Sequence, residues 1–355
     1  MSLQEAESWA LAHASPDLSK LFHSASVGKA EGHQISRAYT LSLSPTFIHA
    51  KSELIELLVS SKAFRQLEFH AVGSFFIYEG PEDGGDAKLT RIPSTREAVF
   101  ESSEIPAKAK RSLMKFLRFV FEYDSEDNVG TWKPHADKPL QPFLESEFKL
   151  DRKLRAYVVA LTLTQSGNIS VGDGLVAIHR HMTSMGKWGP GFAALYPRWG
   201  GISEIAQVGC RACAVGGGIY ALSTRVKDVR HLTDQPKGEA AVEIDLENDE
   251  GSICVKARTF VQGNEAGENA STVSRFVAVV KAPLRSLFEV VVEGAPTPVV
   301  AVIAFPSGSL RTADGTATSS PVYAIAHSSD TGECPGGQSK CFCSFFRVPR
   351  PLKCI

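Results

Sequence analysis

Four groups of residues in this 355-residue chain have types and spacings suited to chemistry. Cys210-Arg-Ala-Cys213 has the spacing of a redox dithiol or of half a zinc site. A tetrahedral zinc site needs a second pair of ligands, and only Cys341 and Cys343 are available, with one residue between them. A redox pair belongs just after a strand, whereas EIAQVGCRACAV reads as helix, so buried helical cysteines are expected here. His179 and His181 resemble a metal pair, but on a helix they point about 200° apart and cannot readily share one ion. Asp330-Thr331-Gly332 matches an aspartic-protease tripeptide, yet that chemistry needs two copies after apolar strands. This single copy follows His327-Ser328-Ser329 and reads as a turn.

Gly216-Gly217-Gly218 does not make a dinucleotide fingerprint. A phosphate-binding turn runs from strand through glycines into a helix, so that the helix N-terminus meets the anion. Here the order is helix, glycines, then the strand-like IYALSTRV. The glycines fit a tight helix-to-strand turn instead. With no Gly-x-Ser-x-Gly elbow either, no constellation of catalytic, cofactor-binding or metal-ligating residues is found, and a binding protein rather than an enzyme is expected.

The elements that must hold these residues follow from periodicity. Ser2 is placed to cap a helix over 3–13, residues 15–36 read as loop, and a helix covers 52–61 with Leu54, Ile55, Leu57 and Leu58 on its apolar side. A β-rich stretch at 64–80 ends in the turn residues of 80–86. Residues 94–186 then turn helical. Ser94 and Glu97 have capping-box spacing, Leu113, Phe116, Leu117 and Val120 form one stripe, and Asp151 caps RKLRAYVVALTLT. Ser170 and Asp173 precede Leu175, Ile178, Met182 and Met185, with Gly186 as the stop. Beyond about 200, short strands dominate: AVEIDL, ICVKARTFV, RFVAVVK, LFEVVVEG, PVVAVIAF and PVYAIAH. Residues 307–320 read as a flexible loop. A β-rich domain with a helical insertion fits this order.

Net charge is -1, and the one basic cluster, Lys108 to Arg118, reads as a solvated helix face, so no nucleic-acid partner is expected. The N-terminus has no basic region ahead of an apolar one and carries Glu5 and Glu7, which argues against a signal peptide. Seven cysteines without disulfide-scaffold density point to a reducing, cytoplasmic setting. The end, Leu352-Lys353-Cys354-Ile355, has Leu where a prenylation box needs Cys.

The segment MGKWGPGFAALYPRWGGISEIAQVGCRACAVGGGIYALSTR resembles the signature block of the Rab escort proteins and Rab GDP dissociation inhibitors. That family has a Tyr- and Pro-rich stretch, a Gly-x-Glu-x-x-Gln helix start, an Arg one turn on, and a Gly-Gly-x-Tyr turn. The matching residues are Tyr196, Pro197, Glu204, Gln207, Arg211, Gly217, Gly218 and Tyr220, with Ser203 where the family has Gly. SPTFIHAKSELIELLVSSKAFRQLEFHAVGSFFIYEG, RIPSTREAVFESSEIPAKAKRSLMKFLRFVFEYD and ICVKARTFVQG resemble further family blocks, so the likeness runs over roughly 35–335. MTSMGKWGPGFAALYP and AHSSDTGECP resemble fungal escort proteins more than the inhibitors. The family's opening Gly-x-Gly turn and Tyr-Tyr-Gly-Gly block are not present, and the tail SKCFCSFFRVPRPLKCI departs from the pattern, so truncation at both ends is expected.

The resemblance implies an α/β (α+β) fold, a flavin-oxidoreductase-like large domain with mixed sheets plus a small all-helical domain. It would divide the chain into 1–93 and 187–335 for the large domain, 94–186 for a helical lipid-handling domain, and 336–355 as an atypical tail. It implies a protein of vesicle-mediated transport that binds GDP-bound Rab GTPases, inhibits GDP dissociation, and presents them to the Rab geranylgeranyl transferase and to membranes by peripheral contact only. The runner-up is a recycling GDP dissociation inhibitor that does not engage the transferase, and a flavin-dependent oxidoreductase of similar fold is the enzymatic alternative. Glu204, Gln207, Arg211 and Tyr220 would form the Rab-binding platform. The prenyl lipid or the transferase would face Phe116, Phe119, Leu175, Ile178, Met182 and Met185, because sheltering an apolar chain is worth about 0.8 kcal/mol per CH₂.

Overall fold

The computed structural model describes residues 3–14, 22, 24–28, 36–42, 45–81, 86–93, 96–103, 105–232, 239–263, 273–312 and 314–346. The strands are β1 Ile48–His49, β2 Phe69–Glu79, β3 Lys88–Arg91, β4 Ala194–Pro197, β5 Arg225–His231, β6 Val242–Asn248, β7 Gly251–Ala257, β8 Val273–Val280, β9 Val300–Phe305, β10 Val322–Ser328 and β11 Ser339–Phe346. The helices are α1 Leu3–Ala12, α2 Glu53–Ser60, α3 Arg96–Glu101, α4 Ala107–Phe121, α5 Glu126–Trp132, α6 Leu140–Phe148, α7 Arg152–Thr162, α8 Val171–Ser184 and α9 Ile202–Val215. Two compact units result, one of residues 1–206 with 273–355 and one of 207–272. The first turn of α9 belongs to the larger unit and the remainder to the smaller.

The larger unit is organised on an eight-stranded sheet in the order β1-β4-β2-β9-β10-β11-β8, with β3 also paired to β2. Among the described strands of this sheet, only β2 and β9 pair in parallel. β9, VAVIAF, is buried at every position but its last, which is why it reads as a continuous apolar run rather than an alternation. The stretch LFEVVVEG makes no strand: a short 3-10 turn at Arg285–Leu287 leads into irregular chain, and Val290 and Val291 stay largely exposed. Pro296 and Pro298, just beyond, lack the amide hydrogen that a ladder requires. Within the segment expected to be an atypical tail, residues 339–346 form β11, hydrogen-bonded on both sides between β10 and β8.

Helices α3–α8 fill residues 96–184. The caps expected at Asp151 and Ser170 form, Asp151 accepting from Leu154 (2.8 Å) and Ser170 from Asp173 (3.1 Å), and Ser52, expected inside its helix, instead caps it by accepting from the Ile55 amide. Ser94 and Ser2 lie outside the described residues. In α2, Ile55 and Leu58 turn inward, but Leu57 is 62% exposed, a correction to the apolar side expected for that helix. Leu113, Phe116 and Val120 of α4 meet Leu144, Leu154, Leu175 and Ile178 in one buried cluster, which continues through Val72, Phe75, Val300 and Val302 of the sheet. The helices and the sheet therefore share a core. In the smaller unit, β5, β6 and β7 form an antiparallel three-stranded sheet. Arg225, Lys227 and Arg230 ion-pair across it with Glu247, Glu243 and Asp245. No helix among the described residues is long and apolar enough to cross a membrane.

Candidate functional site

Strand β4 ends at Pro197 and the chain then turns through 198–201 into α9. The turn is tightly made. Trp199 adopts a left-handed φ of 79° and Gly201 a φ of 63°. The Gly201 amide donates to the Pro197 carbonyl (3.1 Å), and the Ser203 hydroxyl donates to the Gly200 carbonyl (2.7 Å). A Cβ at Gly201 would sit 2.7 Å from the Tyr196 hydroxyl, and one at Gly200 would sit 2.8 Å from the Glu204 carboxylate. Only glycine allows the backbone to lie this close to both side chains.

Glu204 is half-buried, leaning over that turn, in the larger unit. In the smaller unit Gln207 and Arg211 are exposed, one helical turn apart. Tyr220 lies beyond the glycine turn that ends α9, where Gly218 donates to the Cys213 carbonyl (2.8 Å). The Tyr220 ring is half-exposed, and hydrogen bonding of its hydroxyl to the sulfurs of Cys213 first, then Cys210, holds that hydroxyl above the ordinary phenol pKa. Both thiols are exposed, which corrects the expectation of buried helical cysteines: α9 has no buried residue at all. Arg211 offers a guanidinium, Gln207 an amide and Tyr220 an aromatic ring to whatever meets this stretch.

The second set of candidates is placed differently. Phe116, Leu175 and Ile178 have no exposed surface, and Phe119 is 8% exposed. Phe116 and Phe119 pack on Phe148 with ring centroids 5.1 and 5.0 Å apart. Met182 is half-buried at the margin of the cluster, and Met185 is the half-buried C-cap of α8. Of the two histidines weighed as a metal pair, His181 is buried and His179 packs against Tyr123 with the rings tilted by 58°. Among the described residues no group of three or more His, Cys, Asp or Glu is placed to hold a metal ion. A cavity of roughly 410 Å³ lies between the sheet and α8, lined by Phe47, His49, Arg180, Arg275, Tyr323 and Phe342 among others.

One cluster was not foreseen. Glu333, His327 and Lys340 are fully buried. Tyr196 Oη donates to Glu333 Oε1 (2.6 Å), while His327 Nδ1 and Lys340 Nζ meet Glu333 Oε2 at 2.7 and 2.9 Å. Lys340 also donates to the Thr40 carbonyl. Burial alone would raise the Glu333 pKa, but the His327 hydrogen bond and the nearby Lys340 charge outweigh it and hold the carboxyl below its ordinary value. The only sequence hint was the acidic residue one step beyond Asp330-Thr331-Gly332.

Against known proteins, the profile of the GDP dissociation inhibitor family matches residues 3–290. The chain belongs to that family. It is 28% identical over 293 residues to the Rab proteins geranylgeranyltransferase component A of Saccharomyces cerevisiae, a match covering 82% of this chain and 45% of that protein. The component A of Candida albicans is 28% identical over 323 residues (89% and 48%), and the human component A 2 is 30% identical over 210 residues (59% and 30%). The chain thus spans about half the length of the fungal relatives. In fold it is similar to a Rab GDI from Plasmodium falciparum, with a TM-score of 0.63 at 16% identity, covering 88% of this chain and 69% of that one. It is also similar to an oxidoreductase from Methanosarcina mazei, with a TM-score of 0.54 at 12% identity, covering 85% and 67%. The mixed α/β architecture expected from the sequence is therefore that of the Rab GDI and its oxidoreductase-like relatives.

Proposed function

We propose that this chain binds GDP-bound Rab GTPases, slows their loss of GDP, and escorts them to the Rab geranylgeranyl transferase and on to membranes as a cytoplasmic accessory protein. The observation that carries the reading is the exposed stretch of α9 and its closing turn. Gln207, Arg211 and Tyr220 are accessible there in the order that the family's signature block prescribes. An exposed guanidinium is suited to a bidentate contact with a partner carboxylate. The relatives named as geranylgeranyltransferase components favour escort over recycling.

The helical region 94–186 is the proposed lipid-handling part. Phe116, Phe119, Leu175 and Ile178 form a closed interior, so a prenyl chain reaches them only where α4 and α8 part. Met182 lies at that margin with a flexible, polarisable side chain that adapts to an irregular ligand.

Titration against a GDP-loaded Rab protein tests the platform. Arg211→Ala and Glu204→Ala each weaken binding, by about 2–5 kcal/mol where the partner charge is left buried and unpaired, while the circular dichroism spectrum is kept. Unchanged affinity in both variants would sink the assignment. For the lipid site, Met182→Asp lowers affinity for prenylated Rab more than for the unprenylated form, since a charge in an apolar groove is costly. Equal losses for the two forms, or melting of the helices, would make Met182 ordinary core.

A further inference from the structure

Residues 329–333 approach the turn in front of α9 from the far end of the sequence. The Trp199 amide donates to the Thr331 carbonyl (2.9 Å). The Trp199 ring lies flat on Gly332, so closely that no Cβ fits there, and Gly332 takes a φ of 79° that L-residues rarely adopt. Arg198 also lies over the Trp199 ring, 4.3 Å from its centroid, and reaches Glu68 at 2.7 Å. One residue on, Glu333 accepts from Tyr196, whose hydroxyl lies directly beneath Gly201. The Asp330-Thr331-Gly332 tripeptide, which has no catalytic partner, thus has a geometric role: it delivers a buried carboxylate and a bare backbone to the 198–201 turn.

The carboxylate is itself fixed. Lys340 of β11 and His327 of β10 hold one oxygen, and the Glu333 carbonyl accepts from the Thr40 amide (3.0 Å). A buried carboxylate with three donors on it has one arrangement available, because any other leaves a charge or a polar group unpaired. The Tyr196 hydroxyl transmits that position to the turn, and the turn sets where Glu204 points, since the Glu204 amide donates to the Gly201 carbonyl (3.0 Å).

We propose that Glu333 is a positioning residue for partner binding: through Tyr196 and the Trp199–Gly332 contact it fixes the turn that presents Glu204 to the GTPase. This rests on the platform reading above. It makes Tyr196 an internal strut rather than a contact residue, consistent with its 1% exposure.

The test uses Tyr196→Phe, which removes only the hydroxyl that joins the anchor to the turn, beside Glu333→Gln and Glu204→Ala. Two quantities are read on the whole chain: amide hydrogen exchange of the 198–204 segment against β9, and affinity for a GDP-loaded Rab protein. Tyr196→Phe is expected to speed exchange at Trp199, Gly201 and Glu204 while leaving β9 protected. It is also expected to weaken Rab binding by roughly fivefold or more, the usual scale of coupling between sites. In the Glu204→Ala background the same substitution costs little further affinity, because both act through one contact. If Glu333→Gln fails to fold, Tyr196→Phe decides the matter alone. Unchanged exchange at 198–204 would overturn the proposal whatever the affinities. Faster exchange with full affinity, in a protein where Glu204→Ala does weaken binding, would overturn it as well. If Glu204→Ala has no effect while Tyr196→Phe still loosens the turn, Glu204 drops out of the platform and the positioning role in partner binding falls with it, whereas the platform as a whole fails only if Arg211→Ala is silent too.

Discussion

His181 sits on α8 with its ring edge-to-face against Phe75 (5.0 Å) and His49 (5.9 Å). Burial, and secondarily the neighbouring His49, hold its pKa at about 3. Burial, and secondarily Arg180, bring His49 to about 4. Both imidazoles are therefore neutral in the folded chain at every pH above about 4, whereas in the unfolded chain they take up protons near pH 6.5. The unfolded state binds more protons in that window, so stability is full above about pH 6.5 and declines as the pH falls towards 4. At pH 5 the fully buried His181 alone accounts for about 2 kcal/mol of that loss. Glu333, whose carboxyl is depressed, contributes with the same sign but only at lower pH, as it protonates. The denaturation midpoint is expected to drop between pH 7 and pH 5, and His181→Phe, which keeps an apolar ring in the same contacts, to flatten that drop. A midpoint equally pH-dependent in the variant would show that His181 is not the group responsible.

At the scale of elements, the sequence was most legible where periodicity and caps agreed. α4, α7 and α8 lie close to where Asp151, Ser170 and their apolar stripes put them, because a stripe repeating every three to four residues specifies both the helix and its buried face. α5 and α6 were missed. They are short, and no buried residue of α5 marks a face for it. The over-reading of LFEVVVEG has the opposite cause: an apolar run says that residues avoid water, not that a neighbouring strand is there to pair with them. The residues of the proposed platform were legible as a pattern of types, but their exposure was not, and nothing local forecasts that Tyr196 would bond to a residue 137 positions away. The distinction between interior and surface on one helix is measurable in α4. Phe116 is fully buried against Phe148, so Phe116→Ala is expected to cost about 3–5 kcal/mol by cavity formation. Phe121, 51% exposed on the same helix, is expected to cost well under 1 kcal/mol on the same change. Urea titration of the two variants checks the contrast, and similar midpoints would mean that the helical core is looser than this packing implies.

For the whole molecule the decisive strand is the one whose sequence looked least like its family. SKCFCSFF forms β11, and β8 joins the large sheet only through it. β11 also carries Lys340, the cation beside the buried Glu333 carboxylate. Removing residues 338–355 would therefore do two things at once. It would leave β8 and β10 with unpaired edges, and exposed strand edges pair readily with other chains. It would also leave Glu333 buried with no lysine, and stranding one member of a buried ion pair costs about 3–5 kcal/mol, a large share of the stability of an ordinary domain. The expected outcome is a chain that aggregates on expression or melts without a cooperative transition. The comparison is a chain ending at Phe346, which retains the whole strand and its lysine. Size-exclusion chromatography and thermal melts followed by circular dichroism separate the two. If the chain lacking β11 stays monomeric and melts as the longer one does, then neither the sheet nor the Glu333 anchor depends on this strand, and the account of how the β4–α9 turn is held would have to rest on Trp199 and Gly332 alone.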